Sequence, residues 1–274
     1  MILRWAGGKR WLYQHIEGLI PNKIQNYVEP FVGGGSFFFK VQNIKSGVIS
    51  DSNKNLINFY KFLMDSPKEL LDETSKLLRE HSKDHYYKIR DEFNESGCPI
   101  LFLYLNRTCF NGIYRENLKG NFNVPIGKKY NPNGKFKNNL LPFTHEDFKS
   151  WSNKLKKIEI KNCDFEEIIL NAKDGSFIYI DPPYVDRESN KENYQTFRRY
   201  GKNVFDEGDF KRLVSSIHER KDTCKFIISN FSEPIVTELF LKSDGWNTIE
   251  IDKKMRISGK NHGRGSSKEL AIFN

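Results

Sequence analysis

Short apolar runs alternate along this chain with longer stretches of helical period. Residues 26–29, 47–50, 158–161, 177–180 and 225–229 have the length and content of strands, and 246–252 and 270–273 read as closing strands. Between them the spacing predicts helices around 36–41, 56–63, 98–110, 144–156, 166–171 and 210–218, with a further one beginning near Pro234. The segment 66–95 is helical and polar, with Pro67 near a helix start. One stretch breaks the alternation. Residues 113–118 and 122–125 flank Lys119-Gly120-Asn121, which predicts a hairpin closed by a glycine turn. The pattern as a whole is that of an open α/β sheet interrupted by an insert of helices and a hairpin.

The run 177–180 ends in Asp181-Pro182-Pro183-Tyr184. Proline cannot continue a ladder, so the strand stops at Asp181 and two fixed φ angles make a rigid bend. In an open α/β sheet, ligands bind outside the carboxyl ends of the strands, where this tetrapeptide would sit. A carboxylate, an acceptor carbonyl and an aromatic ring directed at one spot suit a flat substrate with an amine that has two hydrogens to give. A strand ending in a plain proline turn is the competing reading of the tetrapeptide taken alone.

Two glycine clusters lie upstream. Arg4-Trp5-Ala6-Gly7-Gly8-Lys9 lacks the glycine spacing of a Walker phosphate loop and by itself reads as a flexible basic segment. Phe31-Val32-Gly33-Gly34-Gly35 follows a strand and precedes a predicted helix, as in folds that bring a cofactor against backbone N–H groups. Asp51 closes the second strand, 16 positions after Gly35, where dinucleotide-type folds grip ribose hydroxyls. An ordinary helix N-cap is the alternative role for Asp51 or Asn53. Asp164 closes another strand and is open to the same two readings.

Composition narrows the class of protein. With 274 residues, 38% of them apolar and 14% aromatic, the chain fits one large domain or one with a sizeable insertion. Its net charge of +9 favours a polyanionic partner. Between Arg107 and Lys137 lie seven Lys/Arg and one acid, interleaved with Phe110, Tyr114, Phe122 and Tyr130, a combination that suits a nucleic-acid reader and also an ordinary solvated face. A second basic stretch, 253–268, carries six Lys/Arg and no acid, and reads as a phosphate-contacting loop or an exposed turn. The long polar stretch from Tyr184 to about Gly208 reads as a lid or binding loop. Cys98, Cys109, Cys163 and Cys224 are widely spaced, and the six histidines form no metal-ligand pattern, so reduced thiols, no metal and a cytoplasmic setting are expected. Neither a signal core nor a membrane-spanning run is apparent.

In order and spacing, the motifs Trp-x-Gly-Gly-Lys (Trp5 to Lys9), Phe31-x-Gly33-x-Gly35, Asp51, the basic hairpin, Asp164-Phe165 and Asp181-Pro182-Pro183-Tyr184 closely resemble the Dam family of DNA adenine methyltransferases, the alpha group of the D12 class. The resemblance covers essentially the whole chain. It implies a Rossmann-like methyltransferase sheet, with residues 1–65 and 150–274 as the catalytic domain and 66–149 as a DNA-recognition insert of helices and a β-hairpin. The implied methyl donor is S-adenosylmethionine, bound by Trp5, Ala6, Gly7, Lys9, Phe31, Gly33, Gly34, Gly35, Asp51, Asp164, Phe165 and Asp181, with no metal. Asp181, Pro182, Pro183 and Tyr184 would act on an adenine flipped out of double-stranded DNA. Arg107, Phe110, Asn111, Ile113, Arg115, Pro125, Lys128, Arg198, Arg199 and Lys260 would contact the DNA, with GATC or a related short sequence as the site. Cys163 stands where the family usually has glycine, and Phe197-Arg198-Arg199-Tyr200 departs from its usual lid sequence. The implied enzyme is a monomer, with a cognate restriction endonuclease as a further partner. A cytosine-N4 or protein-glutamine methyltransferase, or a catalytically silent DNA-binding module, are the rival readings. Asp at position 181 and the basic hairpin weigh against them.

Overall fold

The computed structural model describes residues 2–9, 11–127, 140–183, 205–231, 236, 239–240, 244–254 and 266–274. Within them seven strands form one sheet: β1 (Ile24–Glu29), β2 (Ile44–Ser50), β3 (Ile158–Lys161), β4 (Phe177–Ile180), β5 (Lys225–Phe231), β6 (Asn247–Lys254) and β7 (Ser266–Phe273). Their order is β3-β2-β1-β4-β5-β7-β6. The first five in that order are parallel, whereas β7 lies antiparallel between β5 and β6. The chain therefore works outward from β1 to β3, then returns to start again at β4. Between β1 and β4 lies the topological switch point, the place where open α/β sheets open a crevice at their carboxyl edge.

Helices cover both faces of the sheet, which is why β4 is apolar at every position rather than alternating. Val28, Ile178 and Ile180 pack with α7 (Phe165–Leu170) and α8 (Glu207–Arg220). On the other face Tyr27, Phe177 and Tyr179 share a core with α2 (Lys54–Asp65), α5 (Pro99–Thr108) and α6 (His145–Leu155). The polar segment 66–95 resolves into α3 (Pro67–Arg79) and α4 (Lys83–Ser96), each of which, like α5, starts at a proline or an N-cap serine. Leu70, Tyr86 and Phe102 of these helices belong to the same buried cluster as Tyr27, so the insert and the sheet have one continuous core.

Two expectations change in form. Residues 36–41 make successive turns instead of a regular helix. Phe37 lies flat on Tyr179, Phe38 packs on Tyr27 and Phe39 on Trp151, so three consecutive rings are drawn to three different elements and the chain bends to serve them. The hairpin is present, with Gly120 at φ 84° in its turn, but it forms no regular ladder: its arms are joined by the isolated bridge Glu116–Phe122 and by bonds such as Asn123 N to Arg115 O, with a second bridge, Cys109–Ile126, at its base. Side chains of α4 take over the backbone groups that a ladder would use. Asn94 bonds both N–H and C=O of Phe122, and Tyr86 donates to the Val124 carbonyl. Among the described residues no helix is long and apolar enough to cross a membrane.

Candidate active site

Parallel pairing brings the ends of β1, β2, β3 and β4 to one edge, and with them the glycine loop, Asp51, Asp164 and Asp181. The loop after β1 is tied to the end of β2. Val32 N donates to Ser50 O at 2.9 Å, and Gly33 N to Asp51 Oδ2 at 3.0 Å. The other Asp51 oxygen accepts from Asn53 N at 2.9 Å, while the Asn53 side chain caps α2 by accepting from Leu56 N. Asn53 is thus the helix cap and Asp51 the brace of the glycine loop. Burial raises the Asp51 pKa, opposed by the two backbone donors. Glycine is required here. A Cβ on Gly34 would lie 2.6 Å from Trp5 Cβ, and one on Gly35, at φ 66°, would lie 2.8 Å from the Phe39 ring.

Asp181 follows β4 directly, its side chain 21% exposed. Lys9 Nζ lies 3.3 Å from its Oδ1, and Ser229 Oγ on β5 donates to the same oxygen at 3.1 Å. Lys9, 1% exposed, is held on its other side by Glu269 Oε1 of β7 at 2.5 Å. The Asp181 pKa is pushed up to about 6, chiefly by burial and further by the Glu269 charge, against the lowering effect of Lys9. One strand over, Glu29 ends β1 fully buried and accepts from Tyr27 OH at 2.6 Å, and burial raises its pKa well above the carboxylate range. Pro182 is buried and Pro183 exposed.

The remaining expected cofactor residues fall into two groups. Trp5 lies against Gly33 and Gly34, and Phe31 stacks on Phe165 with centroids 5.3 Å apart, so these belong to one neighbourhood. Ala6 and Gly7 are exposed in the adjoining turn. The Asp164 carboxylate caps α7 through Glu166 N and pairs with Arg212 at 2.8 Å, which gives it a structural role at the rim.

On the hairpin, Arg115 Nε donates to Asn123 Oδ1 at 2.8 Å, bracing the side chain across the two arms. Glu116 instead accepts from Tyr114 OH. Asn111 is exposed at φ 54°, Pro125 is exposed, and Phe110 and Ile113 are half-buried beside them. Arg107 is turned inward. It is 6% exposed, and its guanidinium donates to Leu140 O and Ile2 O, which is the geometry of an internal anchor. Tyr184, Lys128, Arg198, Arg199 and Lys260 lie outside the described residues, as do most of the expected lid and most of the second basic stretch.

Three polar residues of this region carried no motif. Glu269 and Ser229 complete the surroundings of Lys9 and Asp181. Asn106 holds the N-terminal segment by exchanging bonds with Arg4 N and Arg4 O at 2.8 and 2.7 Å. The available signal for Glu269 was a carboxylate directly before the apolar run 270–273.

A sheet of this order, with a glycine loop after its first strand and an acid–proline turn at its switch point, is that of an α/β methyltransferase. Residues 5–257 match the family described as D12 class N6 adenine-specific DNA methyltransferase. The chain is 33% identical over 280 residues to a type II methyltransferase of Lactococcus lactis subsp. cremoris, with 99% of this chain and 94% of that protein covered. It is 34% identical over 297 residues to a type II methyltransferase of Methanocaldococcus jannaschii, covering 99% and 98%. A DNA adenine methylase of Haemophilus influenzae is 31% identical over 284 residues, covering 99% and 92%. The chain belongs to the D12 class of N6 adenine-specific DNA methyltransferases, enzymes that take DNA as substrate.

Proposed function

We propose that this enzyme moves the methyl group of S-adenosylmethionine to the N6 amine of an adenine extruded from duplex DNA, within GATC or a related short sequence. The observation that carries the reading is Asp181 at the switch point, engaged by Lys9 and Ser229 through one oxygen and so able to offer the other to an amine. The residues around the glycine loop fit the donor. Gly34 and Gly35 let the loop pack closely on Trp5 and Phe39, and Asp51, which braces the loop through Gly33 N, is itself a carboxylate suited to ribose hydroxyls. The donor, when bound, supplies a methyl carbon on a sulfonium that departs as a neutral thioether.

The protein's part is positioning. An adenine amine is out of reach inside the stack, and extrusion costs a few kcal/mol. Asp181 and the Pro182 carbonyl would accept hydrogen bonds from the two amine hydrogens, which draws the nitrogen lone pair out of conjugation with the ring and toward the methyl carbon. As the N–C bond forms and the C–S bond breaks the nitrogen becomes cationic, and it then releases one proton to solvent. Tyr184 stacks on the extruded base. Residues 66–149 act as the DNA-reading insert, with Phe110, Asn111, Ile113, Arg115 and Pro125 at the duplex and Lys128, Arg198, Arg199 and Lys260 at phosphates. No metal takes part. The enzyme works as a monomer in the cytoplasm. A restriction endonuclease is the natural counterpart, since relatives carry type II methyltransferase names.

The test is to incubate unmodified plasmid with the protein and S-adenosylmethionine and sequence the product with modification detection. N6-methyladenine confined to one short sequence is expected. Methylcytosine, or unmodified DNA, would overturn the proposal.

A further inference from the structure

Lys9 stands between two carboxylates, and it is closer to the one that has no motif. Its ammonium lies 2.5 Å from Glu269 Oε1 and 3.3 Å from Asp181 Oδ1. Glu269 is wholly buried at 0% exposure, where an ionised carboxylate persists only with a cation against it. Its place follows from the topology. Because β7 runs antiparallel, its opening residues lie beside the carboxyl end of β5, with Glu269 opposite Phe231 and Ala271 opposite Ser229. Glu269 therefore reaches the carboxyl edge of a sheet whose other strands arrive there from the opposite direction.

We infer that Glu269 is a positioning residue for methyl transfer: it holds the Lys9 ammonium so that Asp181 is oriented through Oδ1 without being neutralised. The inference rests on the role proposed above for Asp181. With Glu269 taking the shorter contact, Asp181 keeps the electron density that lets it accept from the target amine. Were Lys9 to pair with Asp181 alone, the carboxylate would be a weaker acceptor. The other groups acting on Asp181 are Ser229 from β5, Tyr179 on its own strand, and Glu29 from β1, whose pKa burial raises. Burial is the largest cause of the raised Asp181 pKa, and against it Lys9 lowers the value while Glu269, with a smaller effect than Lys9, raises it.

The inference makes the two neighbours act with opposite sign. Asp181 can be followed directly in the cofactor-free protein by the carboxyl carbon resonances of labelled aspartate, assigned by their loss in Asp181→Asn. Glu269→Gln preserves volume and the bond to Lys9 but removes the charge, and it should move the Asp181 titration to lower pH. Lys9→Met should move it to higher pH, and Glu269→Asp, which keeps the charge, should stay close to the parent. With DNA and donor present, Glu269→Gln should lower kcat at least tenfold with KM for both substrates within about twofold, and its acid limb should shift in the same direction as the titration. An Asp181 titration unmoved by Glu269→Gln, or moved in the same direction by Lys9→Met, overturns the inference, and so does a kcat loss matched by equal losses in both KM values. Failure of the parent enzyme to need Asp181 for turnover would instead overturn the role assigned to Asp181, and the resonance experiment reads the Glu269 effect independently of it.

Discussion

The indole of Trp5 stacks on the ring of Tyr114, with centroids 5.6 Å apart and planes 23° apart. Trp5 also lies against Gly33 and Gly34, so a single side chain joins the glycine loop to the hairpin. Stacked aromatic pairs are worth about 0.5–1.5 kcal/mol beyond their buried area. A double-mutant cycle of Trp5→Leu and Tyr114→Leu, read by urea denaturation, should give a coupling energy in that range. Trp5→Leu should also weaken donor and DNA binding together, and Tyr114→Leu should weaken donor binding from a distance. Stability effects that add to within about 0.3 kcal/mol would mean that the two rings are neighbours without energetic linkage.

Asp51 is the next point of contact between structure and binding. Its two oxygens receive Gly33 N and Asn53 N, so Asp51→Ala removes the brace of the loop as well as a carboxylate. Hydrogen bonds to charged groups contribute about 1.5–3 kcal/mol, and donor affinity measured by calorimetry should fall by that amount. Asp51→Asn, which keeps one acceptor, should lose less. A folded Asp51→Ala protein of unchanged affinity would remove Asp51 from the donor site.

The strands were legible because the sheet is buried on both faces, and a fully apolar run such as 177–180 has few other readings. Asp51 and Asn53 could not be ranked from sequence, since both stand at cap distance from α2 and only the geometry assigns the cap to Asn53. Arg107 looked like a cation for DNA because nothing local distinguishes an outward arginine from one drawn inward. Its acceptors, Ile2 O and Leu140 O, come from segments far away in sequence. Glu269 was hidden for a related reason. Only the insertion of β7 between β5 and β6 brings it to Lys9, and the order of strands along the chain does not reveal that step.

The role proposed for Asp181 implies a pH dependence. Its pKa of about 6 stands above the ordinary value of 3.8, with burial the largest cause. In the proposed role the carboxylate form is the acceptor, so turnover should be level above pH 7 and fall about tenfold per unit well below pH 6. For stability the sign is the reverse of the usual carboxylate. The folded pKa exceeds the unfolded one, so ionisation opposes folding, with the penalty absent below about pH 4 and complete above about pH 6. Asp181→Asn should therefore stabilise the protein by about 1–3 kcal/mol at pH 7.5 and leave it unchanged at pH 4, as read from unfolding curves at both pH values. Equal stability of the two proteins at pH 7.5 would contradict a strained carboxylate at this site.

Arg115 carries the sharpest prediction about DNA. Its Nε is engaged by Asn123 Oδ1 across the hairpin, which fixes the side chain, and among the described residues no bond engages its terminal nitrogens. A guanidinium presented in this way matches the two major-groove acceptors of guanine, and such a pair gives about 1–3 kcal/mol of discrimination. Arg115→Ala should then relax specificity at one guanine position and leave non-specific affinity nearly intact. Lys128→Ala or Lys260→Ala should weaken binding to every sequence and flatten its salt dependence. Asn123→Ala should act in the direction of Arg115→Ala but more weakly, because it frees the guanidinium without removing it. Competition between a cognate duplex and single-base variants at fixed salt separates these outcomes. If Arg115→Ala costs the same affinity on all of them, the guanidinium is a phosphate anchor and the hairpin reads no base through it.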